Sequence, residues 1–156
     1  MKWDLEERTE DAIVAYLTGE VGGEMRVYAA YDFDEAQYPC AAVYAESTGP
    51  IAEEASWHDA RAMVVQVAVM TEAAPEVDAN GLTLVTARER NAQARSAVLN
   101  ALCIDGLVAA LVAQQVDDVA FSQAQVTSTT RTVDAGARAM ITTVTLDVIA
   151  EPVTGS

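Results

Sequence analysis

Apolar positions along the chain follow two periods, and the changes of period mark its elements. Leu5, Ala12, Ile13, Tyr16 and Leu17 fall on one helical stripe, with Glu6, Glu7, Glu10 and Asp11 on the water side. That spacing predicts a helix over 5–17. Asp4 is placed to cap it with Glu7 at the third position, Trp3 can pack back as a staple, and the early acids suit the positive end of the helix dipole. Gly19 and the pair Gly22-Gly23 are its expected end. Over 25–30 the period becomes two, with Met25, Val27 and Ala29 alternating against Arg26 and Tyr28. An acidic, aromatic loop follows over 31–38. Pro39 then sets the entry to a second strand over 40–46, closed by the turn Ser47-Thr48-Gly49-Pro50. After a polar loop over 51–57, the stretch 58–72 reads as the longest early strand. Its run over 63–70 is apolar on nearly both faces, which predicts a central strand covered on both sides.

The second half begins with a loop over 74–81 containing Pro75 and Asn80-Gly81. A main helix is expected over 84–103, burying Leu84, Ala87, Ala94, Val98, Ala101 and Leu102, while Arg88 and Arg95 share a separate stripe. Asp105 is the expected cap of a short helix over 106–115. The last third turns to β character: threonines and Val126 over 119–132, the turn Asp134-Ala135-Gly136, and a return strand over 139–150. On that return, Met140, Thr142, Val144, Leu146, Val148 and Ala150 face one way, and Thr143, Thr145 and Asp147 the other. The expected class is α+β. A mostly antiparallel or mixed sheet of about five strands carries an N-terminal helix, a long central helix and a short helix. No repeat or linker interrupts 1–156, so one domain is expected, with a short flexible tail at 153–156.

Composition narrows what such a domain does. A hydrophobic fraction of 51% over 156 residues supports a packed core that buries roughly 70% of the unfolded surface. The 24 acidic residues outnumber 9 basic ones, for a formal charge of −15. That surface repels nucleic-acid phosphates and anionic lipid, so gripping DNA or docking on a membrane is disfavoured, while DNA can pass without adhering. A high-salt host would favour the same balance. Cys40 and Cys103 lack any metal or redox spacing and read as small buried thiols in a reducing setting. The start of the chain lacks the basic and apolar regions of a signal peptide, and no run reaches the roughly 18 apolar residues of a membrane span. A soluble chain made in the cytoplasm is expected.

Reactive constellations are sparse. His58, the one histidine, sits beside Asp59, but neighbours on a strand point to opposite faces and no GxSxG elbow or cysteine signature supplies a nucleophile. Asp32, Asp34 and Glu35 form an acidic loop, but Tyr38 and Pro39 break the twelve-residue spacing of a calcium loop. Gly22-Gly23 and Gly81 match no phosphate-binding fingerprint. No catalytic, metal or cofactor-binding residue is therefore assigned. Arg88, Arg90 and Arg95 concentrate basic charge on one helix, and arginine forks pair bidentately with carboxylates. The Arg88/Arg95 stripe and the loop of Asp32, Asp34 and Glu35 are thus candidate halves of a subunit interface.

Taken in order, the elements resemble the tail terminator proteins of long-tailed bacteriophages, also called tail completion or neck proteins. The likeness runs over nearly the whole chain. It is carried by the strands over 25–30 and 40–46 and by Ala60-Arg61-Ala62-Met63-Val64-Val65-Gln66-Val67-Ala68-Val69. The helix Ala87-Arg88-Glu89-Arg90-Asn91-Ala92-Gln93-Ala94-Arg95 and the hairpin around Thr129-Thr130-Arg131 and 140–149 complete it. The resemblance implies a structural virion subunit without enzyme activity, forming a homohexameric ring on the head-proximal end of the tail tube. The ring ends tube polymerisation and joins the tail to the head connector, so the implied partners are other copies, the tube protein and the connector. Genomic DNA passes through without specific binding. Six copies at −15 each would total 6 × −15 = −90, and an acidic lumen would repel duplex DNA. Another neck or head–tail joining subunit, or a small ligand-binding regulatory domain, are the alternatives.

Overall fold

The computed structural model describes residues 5–30, 37–50, 60–74, 76–114, 119–136 and 138–152. Its order is α1 (Leu5–Val21), β1 (Arg26–Ala29), β2 (Cys40–Pro50), β3 (Arg61–Glu72), β4 (Glu76–Val77), β5 (Thr83–Val85), α2 (Ala87–Leu102), α3 (Leu107–Val112), β6 (Val119–Asp134) and β7 (Ala139–Pro152). Five strands form one mixed sheet in the order β1-β2-β3-β7-β6, parallel only between β1 and β2. This is an α+β fold, as the order of periods predicts. Among the described residues no helix is long and apolar enough to cross a membrane.

Strand parity places the core. On β3, Arg61, Met63, Val65, Val67, Val69 and Thr71 are all buried, while their alternates are half-buried or exposed. On β7, Thr142, Val144, Leu146, Val148 and Ala150 share that buried face, as the alternation predicts. The helices cover it in turn: α1 packs on β1 and β2, α2 on β3 and β7, and α3 on β6. The expectation that β3 is covered on both sides is corrected. Val64, Ala68 and Met70 on the far face are half-buried and Gln66 is exposed. Their cross-strand neighbours there are Asp147, Thr143 and Ile141, and among the described residues no helix packs on that face.

Three helix boundaries depart from the sequence reading. Helix α1 runs through Gly19 to Val21. A helical glycine costs only about 1 kcal/mol, and the burial of Val21 against the core offsets it. The stop comes at Gly22, where a Cβ would lie 2.3 Å from the Thr18 carbonyl oxygen. Helix α2 starts at Ala87, not Leu84. The β-branched neighbours of Leu84 pair it into a two-stranded ribbon with β4, leaving it 59% exposed. Thr86 then caps α2, its hydroxyl accepting the Glu89 N–H at 3.1 Å. Gly106, not Asp105, precedes α3, and no side-chain cap forms there. Of the cysteines Cys40 is buried, but Cys103 is exposed at the end of α2, and both are free thiols. The Asp4 cap, the Trp3 staple and the 153–156 tail lie outside the described residues.

Candidate functional site

Helix α2 crosses the buried face of the sheet, but β6 and β7 extend past it, so the outer half of the hairpin stands clear. Residues 127–134 of β6 are all exposed, Val133 to 66%. Between the first turns of α2 and this hairpin lies a cleft of about 390 Å³ lined by Arg88, Asn91, Arg131, Thr132, Val133, Met140 and Ile141. Register puts Arg131 opposite Thr142 and Val133 opposite Met140, so both sit on the helix side of the sheet. Arg88 arrives from α2.

The floor of the cleft is held by a buried polar knot. Asn91 is 3% exposed. Its Nδ2 donates to Thr71 Oγ1 at 3.0 Å and to the Met140 carbonyl at 3.1 Å. Its Oδ1 accepts the Thr142 hydroxyl at 2.7 Å. The Met140 carbonyl can only accept, which fixes the amide orientation. Every strong bond Asn91 can make is nearly used, so it ties α2 to β3 and β7 rather than reaching into the cleft. The helical stripe expected only apolar residues here. The available signal was that Asn91 stands on the same face as Ala94 and Val98.

The two arginines of the Arg88/Arg95 stripe differ in setting. Arg88 is exposed and lines the cleft; Arg95, two turns on, is half-buried and does not. Arg90 pairs with Glu72 across 3.6 Å at the surface, a contact worth little by itself. The proposed acidic half, Asp32, Asp34 and Glu35, lies outside the described residues, as do His58 and Asp59. Among the described residues no three His, Cys, Asp or Glu side chains are grouped to hold a metal ion.

A second polar centre forms where α1 meets the edge of β2. Arg61, only 1% exposed, directs Nη1 to Glu6 Oε1 at 3.1 Å, and Ser47 Oγ donates to the same carboxylate oxygen. Glu10, expected on the water side of α1, is instead 4% exposed, its Oε2 accepting the Ala45 N–H at 2.8 Å. The reason is the shortness of β1, whose pairing with β2 stops at Val43. Beyond that point a carboxylate from α1 takes the place of a strand.

No family model matches the chain, and no curated protein matches it. Its chemistry therefore rests on these groups. Two tyrosines are shifted in one direction. Burial, then the charge of Glu20, raises Tyr16 above the ordinary 10.0, and its hydroxyl donates to the Ala101 carbonyl at 2.5 Å. Burial and its O–H donated to Cys40 Sγ at 3.1 Å raise Tyr28 well above the same value. Burial raises the Cys40 thiol too. A folded chain that holds a tyrosine proton more tightly than the unfolded chain keeps that stability below pH 10.0 and loses it as pH climbs past that value. The melting temperature is accordingly expected to fall above pH 10.0, and Tyr16→Phe to flatten part of that decline in a pH series of thermal melts.

Proposed function

We propose that this chain is a structural virion subunit that forms a ring, six copies in number, at the head-proximal end of a phage tail tube. In this role it ends tube growth and offers a surface to the head connector, acting without catalysis. One observation carries the reading: the sheet ends on one side in the long strand β6, which pairs only with β7 and whose outer half is exposed among the described residues. Such an edge presents backbone donors and acceptors to a neighbouring chain. The opposite edge is the short β1, so the two sides of the subunit differ. Head-to-tail contacts between unlike surfaces are what close a ring. The charge of −15 agrees with a channel that duplex DNA crosses without sticking.

Disrupting the chain in the particle that carries it tests the reading. Tails of uncontrolled length that fail to join heads are expected in electron micrographs. Joined tails of normal length would argue against the role.

A further inference from the structure

We propose that the cleft between α2 and the β6–β7 hairpin receives carboxylate side chains from a second copy of this chain. The idea rests on the assembly reading above and names the chemistry of one contact within it. Arg88 and Arg131 come from distant parts of the sequence to line one cleft. Both are exposed, and neither makes an ion pair with any described residue. Elsewhere acids find the arginines: Glu6 meets Arg61, and Glu72 meets Arg90. In a chain with 24 acidic and 9 basic residues, two arginines left facing the same opening reverse the local sign of charge.

The lining selects the form of the guest. Asn91 is committed to Thr71, Thr142 and Met140, so it supplies a rigid floor rather than a donor. Val133 and Met140 add an apolar flank that suits the methylenes of a glutamate or aspartate, while the two guanidinium forks suit its carboxylate. Duplex DNA also carries anions, but it would lay many phosphates along a surface of net charge −15. A second copy meets the cleft at one place. Net repulsion between copies fades over a Debye length of about 8 Å at physiological salt, so close pairs decide the contact. Every copy carries both the arginine cleft and an excess of acids, which is the two-patch condition for a head-to-tail interface.

Sedimentation velocity of the full chain over a concentration series tests this. The variant Arg88→Glu with Arg131→Glu is set against Thr18→Glu with Gln93→Glu, Ser96→Glu and Asn100→Glu, exposed positions that shift the net charge by the same amount away from the cleft and from both sheet edges. Salt is a poor discriminator, because it weakens the pair and relieves net repulsion together. Wild type is expected to self-associate, the cleft variant to do so at least about tenfold more weakly, and the control to stay close to wild type. Circular dichroism checks the fold, and Arg88→Gln with Arg131→Gln, also expected to weaken association, decides the matter if the reversal unfolds. A wild type that stays monomeric, a cleft variant that associates like wild type, or equal loss in the cleft variant and the control overturns the proposal. Self-association through the cleft in a protein absent from tail necks would instead leave this contact standing and remove the role in the virion.

Discussion

Replacing Arg61 with alanine is expected to destabilise the fold by about 3–5 kcal/mol, the range for breaking a buried ion pair from one side. Arg61 opens β3 on the parity of Met63, Val65 and Val67, and it is buried like them. The substitution removes the aliphatic stem that fills this slot and the cation that faces Glu6 at 3.1 Å. It also leaves the Glu6 carboxylate with Ser47 in a half-buried pocket between α1 and β2. Against a total stability of roughly 5–15 kcal/mol for a domain, that loss is large. A buried pair is not by itself a stabilising device, since a well-packed apolar replacement often does as well. Arg61→Met with Glu6→Gln is therefore expected to recover most of the loss in urea unfolding. A cost below about 1 kcal/mol for Arg61→Ala would show that the pair holds nothing together.

Asn91→Ala is expected to cost about 2–4 kcal/mol, combining lost hydrogen bonds with a small cavity. The Thr142 hydroxyl loses its acceptor beneath α2, where water has little access, and the half-buried Met140 carbonyl loses a donor. Asn91→Asp is expected to be worse at neutral pH. It turns an oxygen toward the Met140 carbonyl, where the amide had placed an N–H. A carboxyl forced into this site has a raised pKa, so the folded form holds its proton more tightly than the unfolded chain. The Asp variant should regain stability as pH falls toward about 4 and lose it as pH rises. Unfolding midpoints measured at two pH values check the sign. Equal midpoints for Asn91→Asp and wild type at pH 7 would contradict the assigned bonds.

Both positions show where reading the sequence succeeded and where it stopped. The stripe Leu5, Ala12, Ile13, Tyr16 and Leu17 located α1, and the alternation on β7 gave its buried face correctly, because apolar burial leaves a period. Arg61, Glu10 and Asn91 occupy slots of those same periods with polar atoms, and hydropathy scores them as breaks. What satisfies each of them is a residue far away in the chain: Glu6 for Arg61, the Ala45 amide for Glu10, Thr71 and Thr142 for Asn91. The short β4–β5 ribbon was hidden because Leu84, between the β-branched Thr83 and Val85, falls on the apolar stripe of α2 and extends the apparent helix. Of the interface candidates, Arg88 was legible as a surface cation on α2. Its neighbour Arg131 was not, because only the register of β6 against β7, with a bulge between Val126 and Ser128, brings it to the helix side. Arg95 shared a stripe with Arg88 on paper, but two turns of helix carry it out of the cleft.

The claim that this chain works by joining copies of itself is tested most directly by its native mass, free and in the presence of isolated tail tubes. A closed ring of six predicts six times 16.5 kDa, about 99 kDa, or a cap of that mass seated on tube ends. A species that stays at 16.5 kDa under both conditions and leaves tube ends bare would contradict it.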